Sequence, residues 1–213
     1  MTIVHIGGIP VRVHASLALM CAVIFGATLY NLGAAAMAWA MVLVVGVVGS
    51  VLVHELGHAA AGRYFGIRTR AIVLFPFGGV AQLEQVWVRP RVDAWLAFAG
   101  PAASMALGAG MVAAGRAAGQ GDLERLGGIN LGLGVLNLVP AFPMDGGRVL
   151  RAALVHWLGT SRGTVVTLLV GLVFVCGFVA LGAWTWQPEI LVLAMFLLWH
   201  QRKEWLAQAE RAA

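Results

Sequence analysis

Charged side chains are so sparse along this chain that the gaps between them outline its architecture. No charge occurs from Ala15 to Val53, a run of 39 residues. A single helix that long would measure about 58 Å, twice the roughly 30 Å of a bilayer's hydrocarbon layer. The run must therefore fold back, and Asn31-Leu32-Gly33 is its best turn. This predicts a first membrane span near Ala15–Tyr30 and a second near Ala36–Arg63. Ala94–Gly115 is uncharged and forms a third, in which the small residues of Ala99–Ser104 would let another helix approach closely, and the polar stretch Arg116–Arg125 after it reads as a loop. Leu126–Met144 is uncharged too, but Pro140 and Pro143 each remove a helical hydrogen bond. It reads as a fourth span that breaks within the membrane and resumes through Arg151 toward Trp157. Gly163–Ala183 supplies a fifth span, with Trp184 and Trp186 as interfacial anchors. Pro188–Trp205 supplies a shorter sixth.

The stretch from Arg63 to Arg91 breaks this pattern. Arg70–Phe75 and Val80–Val88 are strand-like, and Pro76-Phe77-Gly78-Gly79 between them reads as a turn. A β-hairpin or looped sheet fits better than a span, and at membrane depth its backbone would need shelter from protein or a wet cavity. A plain cytosolic connector between two helices fits the same residues. Met1–His14 is a short amphipathic lead-in, too short and too polar for the apolar core of a cleavable signal peptide. The expected fold is an α-helical polytopic membrane protein of about six transmembrane helices with that small sheet, forming one domain over residues 1–213.

Composition strengthens the membrane reading. The chain is 61% hydrophobic and 11% charged, with mean hydropathy +0.88, against about 25% charged in ordinary soluble domains. The formal net charge of +5 reflects orientation and not nucleic-acid binding, because the positive residues cluster in loops. With six spans, twelve of the 14 Lys and Arg residues fall on the side of both termini, leaving Arg116 and Arg125 opposite. That bias places both termini in the cytosol of a multi-pass cell-membrane protein. Cys21 and Cys176 lie in apolar runs without metal-ligand spacing and are expected to be reduced.

Candidate chemistry sits at the end of the second span, in Val53-His54-Glu55-Leu56-Gly57-His58. On a helix, His54 and His58 share one face and can bind one metal ion, while Glu55 is placed to take a proton from water. Ionisable groups at the end of a membrane helix are costly, which favours a function over an inert interfacial cluster. A catalytic zinc takes three protein ligands and keeps one position open. Of the nine acidic residues, Asp145 alone follows a proline-broken apolar span and precedes two glycines, while Asp93 and the others apart from Glu55 fall in loops or at termini, so Asp145 is the candidate third ligand. An Asp there also suits the N-cap of a helix over Gly146–Trp157.

These residues, with Phe75-Pro76-Phe77-Gly78-Gly79, Gly100-Pro101, Asn137-Leu138-Val139-Pro140-Ala141-Phe142-Pro143-Met144-Asp145-Gly146-Gly147 and the lead-in Gly8-Ile9-Pro10-Val11-Arg12-Val13-His14, resemble the site-2 protease family of intramembrane zinc metalloproteases. The resemblance covers nearly the whole chain. It implies one zinc held by His54, His58 and Asp145, with Glu55 as general base and Asn137 helping to position the scissile peptide or its oxyanion. It implies a re-entrant sheet at the Phe-Pro-x-Gly-Gly segment. Ser104 stands where many relatives have Asn after Gly-Pro.

The expected activity is therefore zinc-dependent hydrolysis of a peptide bond in or near a transmembrane helix of another membrane protein. The lipid bilayer is the expected surroundings, and a homo-oligomer or a regulatory membrane partner is compatible with it. The rival is a metal transporter or metal sensor using the same His and Asp residues. Glu55, which neighbours a ligand without being needed for binding, argues for hydrolysis. Relatives often carry an added soluble regulatory domain, and the 213 residues are expected to hold none.

Overall fold

The computed structural model describes residues 2–76, 78–84 and 88–212. Its elements run β1 (Thr2–Ile6), β2 (Ile9–Val13), α1 (Ala15–Leu32), a 3-10 turn (Ala34–Ala36), α2 (Met37–Tyr64), β3 (Thr69–Phe75), β4 (Gly78–Leu83), α3 (Pro90–Ala118), α4 (Gly121–Asn137), α5 (Asp145–Leu158), α6 (Thr160–Thr185) and α7 (Pro188–Ala212). Helix α1 and the stretch Ala34–Tyr64, like α3 and α6, are long and apolar enough to cross a membrane. The predicted fourth and sixth spans are present as helices but do not join that group. Helix α4 has only 17 residues, and α7 carries Arg202, Lys203 and Glu204.

Two compact units emerge from the packing. The first holds Met1–Val86 and Ala99–Gly134; the second holds Trp87–Phe98 and Val135–Ala213.

In the first unit, the long uncharged run reverses at Gly33, as its sequence predicts. That residue sits at φ 75°, a conformation glycine adopts without a Cβ penalty. The lead-in is not merely amphipathic. It is a hairpin whose second strand pairs parallel with β3, Val11 opposite Ile72 and Val13 opposite Leu74. Sequence alone gave no sign of this pairing, since the partners lie about sixty residues apart with two helices between them. The predicted second hairpin is present as β3 and β4, which completes a four-stranded sheet of order β1-β2-β3-β4. Strand β4 starts at Gly78, opposite Phe75, earlier than its hydrophobic pattern suggested. Glycine has no side chain to signal a strand, and Gly78 pairs at φ 145°, a backbone angle open to glycine. Phe77 of the expected turn and Gln85, Val86 and Trp87 of the expected strand lie outside the described residues.

The sheet is fastened to the helices by apolar burial. Val11, Leu17, Ile72 and Leu74 form a core against Val48, Val51, Leu52 and Leu56 of α2. Each such side chain, fully buried, is worth about 1.5–3 kcal/mol. The polar segment 116–125, expected to be a loop, is mostly helix. Chain reversal occurs at Gly119, and Asp122 and Glu124 fall in the first turn of α4, where their charge complements the helix dipole. Glu124 also accepts a hydrogen bond from Arg116 at 2.8 Å. Helices α3 and α4 then approach through small residues: a Cβ on Gly127 would lie 2.7 Å from the Val112 nitrogen and 2.8 Å from the Gly108 carbonyl oxygen.

In the second unit, the predicted proline break separates α4 from α5. Its backbone is satisfied locally, with Ala141 N–H donating to Val139 at 2.8 Å and Met144 N–H to Ala141 at 2.9 Å. The Phe142–Pro143 peptide is cis. Met144 packs with Val175 of α6 and Leu197 of α7, and Phe178, Leu193 and Phe196 surround them. Gln208 of α7 donates to Ser161 of α6 at 3.1 Å.

Helix contact through Gly127 gives a direct test. Gly127→Leu should force α3 and α4 apart and cost about 1–3 kcal/mol, read as a lower thermal midpoint in detergent. Gly128→Leu, where a side chain meets nothing within 4 Å, should leave the midpoint unchanged or raise it.

Candidate active site

Helix α2 carries the His-Glu-x-x-His motif in its last three turns, and all three ionisable side chains are buried: His54 and Glu55 are 5% exposed and His58 7%. Helical spacing brings the imidazoles together. Their Nε2 atoms are 3.2 Å apart and the rings are nearly perpendicular, at 82°. Two nitrogens so close, each with a lone pair in the neutral ring, offer two adjacent ligand positions to one cation.

Helix α3 closes over this pair because it lacks side chains where they would intrude. A Cβ on Gly57 would lie 2.6 Å from the Ala99 carbonyl oxygen and 2.9 Å from the Ala103 Cβ. A Cβ on Gly100 would strike the His58 ring and come within 2.8 Å of His54 Nε2. The small-residue run after Gly100 thus does what its composition suggested and admits another helix at close range. At its end Ser104, fully buried, places its hydroxyl 3.0 Å from His54 Nδ1. That bond occupies Nδ1 and leaves Nε2 to face the other imidazole, the usual way an outer partner sets the ligating nitrogen of a histidine.

Glu55 points toward the sheet. Its Oε2 accepts the backbone N–H of Ala81 in β4 at 2.8 Å. Gly79 permits this approach, since a Cβ there would lie 2.5 Å from the Glu55 Cγ. A charge-assisted bond of this kind contributes about 1.5–3 kcal/mol. One turn before His54, Ser50 donates to the Gly46 carbonyl at 2.7 Å and accepts from Asn130 Nδ2 at 2.8 Å. This fixes α2 to α4. Sequence reading missed the Ala81 and Asn130 contacts. A backbone donor leaves no trace in residue type, while Asn130 was visible as a polar residue in an apolar run.

Asp145 and Asn137 belong to the second unit. Asp145 is the first residue of α5 and is 7% exposed. The helix N-cap is Met144, so the capping role open to Asp145 from sequence does not apply. Both following glycines are required by backbone approach: a Cβ on Gly146 would overlap the Leu138 carbonyl, and one on Gly147 would lie 2.9 Å from the Ala141 carbonyl carbon. Asn137 ends α4 and is half-buried at the start of the break.

The family model described as Peptidase family M50 matches residues 42–124 and 122–178. Zinc metalloprotease MJ0392 of Methanocaldococcus jannaschii is 30% identical over 202 residues, covering 92% of this chain and 58% of that protein. Stage IV sporulation protein FB of Bacillus subtilis is 33% identical over 137 residues, covering 63% of this chain and 46% of that protein. The chain thus spans about half the length of the relatives it matches. The solved site-2 protease from M. jannaschii superposes with a TM-score of 0.71 at 28% identity, covering 96% of this chain and 94% of that one.

Ser104 offers a test of the outer shell of this site. Ser104→Ala should weaken divalent-metal binding by on the order of tenfold, measured by chelator competition. Ser104→Asn, which keeps a polar partner for Nδ1, should retain more of the affinity than Ser104→Ala.

Proposed function

The chain belongs to peptidase family M50, and on that premise we propose that it is an intramembrane zinc endopeptidase that hydrolyses a peptide bond in or near a transmembrane helix of another membrane protein. The observation that carries this reading is the pairing of His54 and His58 Nε2 atoms beside a carboxylate, Glu55, that a strand holds in place. Donor chemistry supports zinc as the metal. Two buried imidazoles and the buried carboxylate of Asp145 are a nitrogen-nitrogen-oxygen set suited to one zinc per chain. Zinc held by these three residues would supply Lewis acidity toward a carbonyl oxygen and acidify a water.

The protein's own groups account for the remaining steps. Glu55 is the base that takes the proton from the attacking water and returns it to the leaving amine. The Ala81 N–H, bonded to its Oε2, fixes the direction in which the carboxylate faces. Asn137 presents an amide N–H to the developing oxyanion. Strand β4 closes the sheet order and is its edge on that side, so a locally unwound substrate segment can lie along it as an added strand. A helix hides its carbonyls in its own hydrogen bonds, which makes such unwinding a requirement. We place the enzyme as a multi-pass protein of the cell membrane with both termini in the cytosol. The charge asymmetry supports that orientation. Reporter fusions at Gly121 and after the last residue should then report opposite sides.

Two measurements on the same samples test the reading against a metal carrier. Glu55→Gln keeps the size of the side chain but cannot accept the proton, so cleavage of a membrane-helix substrate should fall by about 10²–10⁴-fold while zinc content stays near one per chain. Asp145→Asn and the His54→Ala, His58→Ala double variant should lose zinc itself. Cleavage unchanged in Glu55→Gln would remove Glu55 as base. Full zinc in Asp145→Asn would remove Asp145 as ligand.

A further inference from the structure

Asp93 is the buried carboxylate that the proposed reaction leaves without a task. It lies in the first turn of α3, within the second unit, and is only 7% exposed. A charged side chain is seldom buried to that degree without a partner. Asp93 has two. Arg148 Nη2 donates to its Oδ1 at 2.7 Å, and Arg151 Nη2 lies 3.5 Å from its Oδ2. Arg148 stands one helical turn after Asp145, and its other terminal nitrogen, Nη1, is 3.8 Å from Asp145 Oδ1. The guanidinium of Arg148 is therefore between two carboxylates. It makes a short charge-assisted hydrogen bond to one and a looser ion pair, beyond hydrogen-bond range at 3.8 Å, to the other.

We infer that Asp93 is a positioning residue that draws Arg148 away from a direct hydrogen bond to Asp145 and so limits its competition with the metal for that carboxylate. A guanidinium and a metal ion compete for the same carboxylate lone pairs. Arg148 and Asp145 have the i,i+3 spacing at which a helical Asp and Arg readily pair. Without a stronger acceptor, Arg148 would tighten its present 3.8 Å ion pair into a direct hydrogen bond with Asp145. Asp93 is that acceptor, and Arg151 helps to fix its orientation through the second oxygen. The geometry separates two functions that look alike in sequence. Arg148 belongs to the Asp145 helix, yet its direct bond is made to α3.

This inference rests on Asp145 being a metal ligand. The decisive experiment is a double-mutant cycle on the purified full chain in detergent, with zinc affinity read by competition against a chromogenic chelator and no substrate present. Asp93→Asn should weaken zinc binding by on the order of tenfold. Arg148→Gln removes the competing cation and should bind zinc at least as tightly as the wild type. The double variant should return to within about twofold of Arg148→Gln, because no guanidinium is left to release. Asp93→Glu, which keeps the charge, should stay near wild type.

Unchanged affinity in Asp93→Asn overturns the inference. So does a double variant as weak as Asp93→Asn, which would make Asp93 a mere tie between helices. If Asp93→Asn fails to fold, Arg148→Gln decides alone, and a loss of zinc affinity there overturns the inference. Asp145→Asn in the same assay separates the two levels. Retained zinc there defeats the ligand assignment itself, whereas lost zinc with an unaffected Asp93→Asn defeats only the role given to Asp93.

Discussion

Two imidazoles can meet in the interior of this apolar protein because residue 100 has no side chain. Any Cβ at Gly100 would occupy the space of the His58 ring and crowd His54 Nε2. The other contacts of the motif follow from that closeness. With α3 lying against α2, Gly57 can pass the Ala99 carbonyl, and Ser104 can reach His54 Nδ1. A buried polar atom left without a partner costs about 1–3 kcal/mol, so an approach made possible by one missing methyl group decides whether the histidines are tolerable at all. Packing and chemistry are the same constraint at this point of the fold.

Three of the buried ionisable groups are handled consistently. Each is buried, and each has a partner supplied by a neighbouring element: a hydroxyl from α3 for His54, a backbone amide from β4 for Glu55, a guanidinium from α5 for Asp93. In a low-dielectric surrounding such bonds are stronger than in water, and their loss is correspondingly costly. The partners also fix direction. Ser104 engages Nδ1 of His54, and Ala81 engages Oε2 of Glu55. The scaffold thus specifies the orientation of groups whose chemistry depends on single atoms.

Much of this was legible in the residues themselves. Gaps between charges located α1, α2, α3 and α6, and Pro140 with Pro143 located the break before Asp145. The spacing of His54 and His58 fixed their shared face. What stayed hidden depended on partners distant in the chain or on backbone atoms. The pairing of Val11 with Ile72 leaves no periodic signature, because each strand alone is short and the link is tertiary. Ala81 acts through its N–H, which every residue except proline possesses. Asp93 looked like an ordinary loop acid, and its burial arises from Arg148, 55 positions later. The polar run after Arg116 looked like a loop because its acids were read without regard to the helix dipole that welcomes them.

The parallel pairing of β2 with β3 also bears on biosynthesis. Strand β2 is made early, but its partner emerges only after α1 and α2. At synthesis rates of about 5–20 residues per second, the first hairpin must wait several seconds on the ribosome while two apolar helices enter the bilayer. Only then can β3 dock on it, and only after β3 can β4 bring Ala81 to Glu55. The nascent chain therefore has its His-Glu-x-x-His helix in the membrane before the strand that restrains the glutamate exists. The restraint on Glu55 is thus acquired late, as a product of sheet closure, after the helix that carries it is already made.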